Sequence, residues 1–211
     1  LGRFNEAFHF SKKLEKARLN NFESDLIIGI YYLKDKNYLL ANKYFSNLKD
    51  YKDKSILDNF IVNSLSNWVN FNELSLTEAK KRIDLIDPRL ENLKRIQYIF
   101  LHCFFKSPKT GFYFEDLTSN KEIDFSRYNY FHAKYLSNKN KYEEAKIIID
   151  SSLKLYPRNL LLNQLKLDLV NKKYKNEFNC ENLTNVVAEI FYISANALSL
   201  QNLYKSSNFY L

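Results

Sequence analysis

The apolar positions of residues 22–55 fall into two blocks with helical spacing. In the first block Leu26, Ile30 and Leu33 lie three to four residues apart, which predicts a helix with one strongly buried face. A short polar turn follows, and a second apolar stripe begins at Tyr38. The pattern therefore predicts two helices joined by a tight turn.

Gly29 lies inside the first of these helices, away from either end. Glycine in a helix interior costs about 1 kcal/mol relative to alanine. We therefore expect a neighbouring helix to press against the backbone at this position.

An aromatic or large apolar residue followed three positions later by a small one recurs along the chain. The copies are Phe4 with Ala7, Tyr38 with Ala41, Tyr142 with Ala145, and the weaker pairs Leu76 with Ala79 and Tyr204 with Ser207. The first two copies are 34 residues apart. A period in the thirties is typical of arrays of helix pairs, which serve as binding surfaces far more often than as enzymes.

These units resemble the tetratricopeptide repeat (TPR), which has a small residue midway along helix A and an aromatic residue and alanine at the start of helix B. In residues 22–55 the matching positions are Gly29, Tyr32, Tyr38, Ala41 and Phe45. In residues 126–159 they are Ala133, Tyr142, Ala145 and the closing Pro157. In the last unit they are Ala195, Leu198, Tyr204 and Ser207. The order of units is also similar to that of long proteobacterial TPR proteins.

The resemblance implies an all-α fold, a right-handed superhelix (α-solenoid) of antiparallel helix pairs over residues 1–211. The implied units are a half repeat (1–21), a repeat (22–55), two degenerate repeats (56–89 and 90–125), a repeat (126–159), a helix plus polar loop (160–187) and a truncated repeat (188–211). The chain contains no methionine, begins in mid-pattern and stops where an amphipathic helix should continue. We therefore expect it to be a fragment of a longer protein.

Residues 171–185 show no apolar period, which predicts a polar loop. The alternative is a mobile element that covers or completes a binding groove. The triplet from Asn182 to Thr184 fits a glycosylation sequon, which has no meaning without a secretory context.

Composition changes this picture little. The net charge of +8 invites a nucleic-acid interpretation, but the basic residues are interleaved with acidic ones, and arginine is scarce among them. With three glycines in the whole chain, a Gly-rich phosphate loop is hard to build. No run of eighteen apolar residues occurs, so no membrane span is predicted.

The two cysteines lie in different contexts, Cys103 in an apolar helix and Cys180 in a polar loop. This predicts neither a disulfide framework nor a metal site. A reducing compartment, the cytoplasm, is the expectation that follows.

No catalytic chemistry is evident. The histidines His9, His102 and His132 have no metal-ligating residue three or four positions later, so we expect them to be packed or half-exposed. No nucleophile elbow, Walker loop or dinucleotide fingerprint occurs. We therefore expect no enzymatic activity, cofactor or metal.

By TPR analogy, six helix A positions face the concave groove and are the candidate partner-binding residues: Leu26, Ile30, Tyr130, Lys134, Tyr192 and Asn196. TPR proteins that bind C-terminal carboxylates carry lysine and asparagine at such positions. Only Lys134 and Asn196 match that pattern, which argues against a carboxylate clamp. An apolar and aromatic groove would suit an amphipathic helix or an extended peptide.

The leading hypothesis is a non-enzymatic protein–protein interaction scaffold that binds a peptide or protein partner in the concave groove. One alternative is binding of RNA or single-stranded nucleic acid through a basic surface, with the aromatic residues stacking on bases. Another is a self-assembling subunit whose exposed repeat ends stack on each other.

Overall fold

The computed structural model describes residues 3–119, 124–171 and 178–211, and every regular element in these ranges is helical. The α-helices are α1 (Phe4–Lys16), α2 (Phe22–Lys34), α3 (Tyr38–Asn47), α4 (Ile56–Asn70), α5 (Leu76–Asp84), α6 (Glu91–Phe104), α7 (Thr110–Thr118), α8 (Ser126–Asn138), α9 (Tyr142–Leu155), α10 (Leu160–Val170), α11 (Leu183–Leu200) and α12 (Tyr204–Tyr210). Short 3-10 helices occur at Leu48–Asp50, Phe71–Glu73 and Pro88–Leu90. The expected all-α class is confirmed.

The chain divides into two compact units. The first consists of Leu1–Glu91 and Val187–Leu211, and it contains α1 to α5, most of α11, and α12. The second is Asn92–Val186, which contains α6 without its first residue, α7 to α10, and the start of α11.

Helix pairs coincide with the repeats expected from the sequence. Helices α2 and α3 pack together within residues 22–55, and α8 and α9 do so within 126–159. The degenerate units 56–89 and 90–125 contain two helices each, α4 with α5 and α6 with α7. Of the polar loop predicted over residues 171–185, residues 172–177 lie outside the described residues, and residues 183–185 belong to α11 instead of a loop.

Five helices end in the same backbone turn. After α2, the amide of Lys36 donates to the carbonyl of Leu33 at 3.0 Å, and the amide of Asn37 donates to the carbonyl of Tyr32 at 2.8 Å. This pair of hydrogen bonds is the Schellman motif, in which one residue adopts a positive φ. Among the described non-glycine residues, those with a positive φ, between 54 and 62°, are Arg18, Lys36, Lys106, Asn140 and Asn202.

Two of these turns each contain the same type of hydrogen bond between side chains. The hydroxyl of Tyr142 donates to Oδ1 of Asn140 at 2.9 Å, and the hydroxyl of Tyr204 donates to Oδ1 of Asn202 at 2.7 Å. Each tyrosine is the first residue of its helix. Asparagine suits these positions because it tolerates the left-handed conformation. The same turn and bond therefore recur at two positions that the sequence pattern treats as equivalent.

Helix α11 is long and apolar enough to cross a membrane by length and composition, with a mean hydropathy of 1.3 over 18 residues. Half of it is buried within the chain. Because the core helix of a folded protein meets the same criteria, this helix is weak evidence for a membrane span.

Candidate functional site

The six groove positions predicted by TPR analogy lie in different environments. Leu26, Tyr130 and Lys134 are buried, Ile30 and Tyr192 are half-buried, and Asn196 is exposed. The pairs on α2 and α11 belong to the first unit, and the pair on α8 belongs to the second. On α8, the Nζ atom of Lys134 lies 6.0 Å from the centre of the Tyr130 ring. Three of the six side chains are thus already packed within this chain.

A different surface, in the second unit, is both more apolar and more exposed. Its exposed members lie at the end of α9 and along α10: Leu155 (63%), Leu160 (83%), Leu161 (42%), Leu167 (56%) and Val170 (70%). We call these five residues the leucine surface. Exposed apolar side chains concentrated on one element mark an interaction site more often than isolated ones do.

Helix α10 begins at a well-defined cap. The side chain of Asn159 accepts a hydrogen bond from the amide of Leu162 at 3.1 Å, and its Nδ2 atom donates to Oγ of Ser126 at 2.9 Å. An asparagine cap of this kind satisfies an amide that has no partner within the helix. The bond to Ser126, the first residue of α8, also fixes the start of α10 against the neighbouring helix pair.

The two faces of α10 have opposite roles. Leu162 and Leu165 are buried where α10 packs on α8 and α9. Leu160 and Leu167 are seven residues apart, about two helical turns, and at 100° per residue they lie on the face opposite to the buried pair. The packing of α10 therefore buries one apolar face and leaves Leu160 and Leu167 in solvent on the opposite face, where Gln164 is also exposed.

Polar groups beside the leucine surface bond to each other. Nζ of Lys166 on α10 lies 2.6 Å from Oδ1 of Asp150 on α9, and this hydrogen bond holds the pKa of Asp150 below its usual value. Nε2 of Gln164 donates to Oδ1 of Asp168 at 2.8 Å. A cavity of about 220 Å³ between α9 and α10 adjoins the surface and is partly lined by Val170.

Helix α10 and helix α4 of the first unit each pack against two helices, but α4 buries nine of its residues and α10 buries Leu162 and Leu165. Helix α4 packs on α3 and is itself packed against α5. Helix α10 packs on α9 and α8, and within the described ranges no further helix packs extensively against it. Its exposed face carries Leu160 and Leu167, which have no helix packed extensively on them within the described ranges.

The sequence contained a signal for this surface. Residues 160–170 read LLLNQLKLDLV, with six leucines distributed around the helix. A helix that is apolar on all sides is normally buried on all sides. The repeat pattern, which implies only a helix and a polar loop in residues 160–187, makes no use of this signal.

The three histidines lie in different environments. His102 is buried, and its Nδ1 atom lies 3.0 Å from Oγ of Ser107. His132 is buried and stacks on Phe114 with 4.8 Å between ring centres, whereas His9 is exposed. Within the described residues, no group of three His, Cys, Asp or Glu side chains could hold a metal ion.

Comparison with known proteins finds no relative of this chain. No protein-family model, curated protein or solved structure matches this chain. The TPR resemblance therefore rests on the sequence positions and repeated turns described above.

Proposed function

We propose that this chain is a non-enzymatic, TPR-like interaction module that binds a protein partner through the leucine surface of α10. The observation that carries the proposal is the exposure of Leu160 and Leu167 opposite the buried face of the same helix. Fully burying one leucine side chain contributes about 1.5–3 kcal/mol. Burying Leu160 and Leu167 against a partner would therefore supply a large share of the binding free energy of a complex with a micromolar Kd.

The occupant we propose is an amphipathic helix of the partner. In this chain, α3 is followed by the helix pair α4 and α5, whereas α9 is followed by α10, whose outer face has no helix packed extensively on it within the described residues. A helix with apolar residues at every third or fourth position fits such a face, as in other helix-in-groove complexes. The partner would thus complete the missing half of a helix pair.

The proposal includes the superhelical arrangement implied by the TPR resemblance. It is supported by the helix pairs at the expected repeats and by the shared turns at Lys36, Asn140 and Asn202. In this arrangement the concave positions Ile30 and Asn196, which are half-buried and exposed, would serve as secondary contacts.

Site-specific crosslinking tests the proposal. A photo-reactive amino acid is placed at Leu167 in the protein expressed in its source cell, and the crosslinked peptides are identified after irradiation. Leu85 is the matched control because it is also highly exposed and lies in the first unit. We expect position 167, but not position 85, to crosslink to an amphipathic segment of another protein.

Three other outcomes would contradict the proposal. A crosslink from position 167 to a second copy of this chain would favour self-assembly. Crosslinks to RNA, lost as salt rises, would favour the nucleic-acid alternative. Equal crosslinking from positions 167 and 85 would show that the leucine surface has no special role.

A further inference from the structure

Cys103 and Cys180 are joined by a disulfide bond in the second unit. Their Cα atoms are 5.7 Å apart, and 77 residues separate them along the chain. The expectation that no disulfide is present is therefore wrong. It failed because the sequence contexts of the two residues say nothing about how close the fold brings them.

Aromatic packing holds the segment that contains Cys180 independently of the disulfide. Phe178 stacks on Phe131 of α8, with 4.0 Å between ring centres and 19° between ring planes. The ring of Phe178 also lies 5.8 Å from that of Phe100 on α6. Phe178 therefore packs against α6, which carries Cys103, and against α8.

Two ion pairs form a third attachment. A carboxylate oxygen of Glu181 lies 3.2 Å from Nζ of Lys106, and the other lies 3.1 Å from Nζ of Lys139. Lys106 occupies the turn that ends α6, and its amide donates to the carbonyl of Cys103. Partial burial raises the pKa of Glu181, but its two lysine partners outweigh this effect and lower the pKa overall. Besides the disulfide itself, two kinds of contact therefore hold Cys180 beside Cys103.

Both cysteines are buried, with 1% exposure for Cys103 and 3% for Cys180. Thiol–disulfide exchange needs direct access of an attacking thiolate to a sulfur atom. The bond must therefore form before the surrounding packing is complete, and a reductant must wait for the second unit to open. This behaviour is typical of a structural cross-link and not of a redox switch.

We infer that this chain is a substrate for thiol oxidation and matures in an oxidising compartment, contrary to the cytoplasmic location expected from the sequence. Structural disulfides persist in such compartments and are rare where thiols are kept reduced. The inference does not depend on the partner proposed for the leucine surface.

The oxidation is a two-step exchange with a disulfide-bearing thiol oxidase. One cysteine thiolate attacks the disulfide of the oxidase, which forms a mixed disulfide and releases one oxidase thiol. The second cysteine thiolate then attacks the mixed disulfide, which forms the Cys103–Cys180 bond and releases the other oxidase thiol. Two electrons and the two thiol protons pass to the oxidase, which leaves as a dithiol.

Alkylation followed by intact mass measurement tests the inference. The full chain, isolated from its source cell under acid quench, is unfolded in the presence of iodoacetamide. We expect no alkylated cysteine without reductant and two after treatment with dithiothreitol. Two alkylated cysteines without reductant would overturn the inference.

Stability measurements on the oxidised protein provide the second readout. We expect Cys103→Ala, Cys180→Ala and the double variant to lower the midpoint of thermal unfolding equally, by roughly 10 °C or more. Reduction of the unfolded wild type before refolding should lower it by the same amount. A midpoint that is insensitive to the reductant would contradict the inference. If a variant does not fold, the alkylation result on the wild type decides alone.

Discussion

The ring of Phe45 lies directly against the backbone of Gly29. A Cβ atom on Gly29 would be 2.7 Å from Cδ1 of Phe45 and closer still to Cε1 of the same ring. Gly29 is in α2, Phe45 is in α3, and both are buried. The expectation that a neighbouring helix presses on the backbone at Gly29 is confirmed, and this contact explains why a glycine occupies a helix interior.

Gly29→Ala should therefore destabilise the first unit although alanine is the better helix former. Overpacking a filled core costs about 1–3 kcal/mol, while the propensity gain is about 1 kcal/mol. We expect a net loss of up to about 2 kcal/mol in the free energy of unfolding, measured by urea denaturation.

Combining Gly29→Ala with Phe45→Leu tests whether the Phe45 ring causes this loss of stability. In a Phe45→Leu background the ring that meets the new methyl group is gone, so Gly29→Ala should become neutral or stabilising by up to about 1 kcal/mol. Additive effects of the two substitutions would show that Phe45 is not the reason for the glycine.

The two Schellman turns at Lys36 and Asn140 should respond differently to glycine. Lys36 has a φ of 58°, and this left-handed conformation is unfavourable for a lysine. Lys36→Gly should thus stabilise the protein by about 1 kcal/mol. Asn140 tolerates this conformation and accepts the hydrogen bond from Tyr142. Asn140→Gly should therefore give no gain, and equal gains in urea denaturation would contradict this explanation.

His132 should make the second unit less stable in acid. Burial lowers the pKa of His132 to about 4, although the nearby charge of Glu144 opposes the shift. Between pH 6.5 and 4 the unfolded chain binds more protons at this residue, so stability falls as the pH falls. The loss across this window is about 3 kcal/mol at most, from 1.36 kcal/mol for each pKa unit.

His132→Phe keeps an aromatic ring against Phe114 and removes the titrating group. We expect the unfolding free energy of this variant to depend less on pH between 6.5 and 4 than that of the wild type. His132 lines a cavity of about 680 Å³. Leu136→Ala is the control, because Leu136 is buried, lines the same cavity and carries no titratable group. An unchanged pH profile in His132→Phe would show that this histidine does not cause the acid sensitivity.

The helices followed from local patterns in the sequence. The 3.6-residue spacing placed α2 and α3 around the turn at 35–37, and the small residue at Gly29 indicated the close approach of a neighbour. These features depend on residues within one period of each other, so a single sequence carries them.

The disulfide and the exposure of α10 could not be predicted in the same way. The Cys103–Cys180 bond depends on a fold that brings together residues 77 positions apart. The exposure of Leu160 depends on which helices fail to cover it, and the leucine pattern indicates only that both faces are apolar. Both features are properties of tertiary packing and not of local spacing.

The leucine surface should contribute little to the stability of the isolated chain. Its side chains are largely in solvent, and substitutions at exposed positions usually change the unfolding free energy by less than about 0.5 kcal/mol. We expect Leu160→Glu to leave the helical content and the unfolding midpoint close to those of the wild type. A large loss of stability would show that Leu160 is packed in solution.

The most direct test of the account is the affinity of the crosslinked partner for wild type and for the double variant Leu160→Glu, Leu167→Glu, measured by titration calorimetry. Leu85→Glu serves as the control at an equally exposed leucine of the first unit. Losing the burial of two leucines predicts that the double variant binds about 100-fold or more weakly, with Leu85→Glu unchanged. Equal affinities for all three proteins would contradict the assignment of the leucine surface as the binding site.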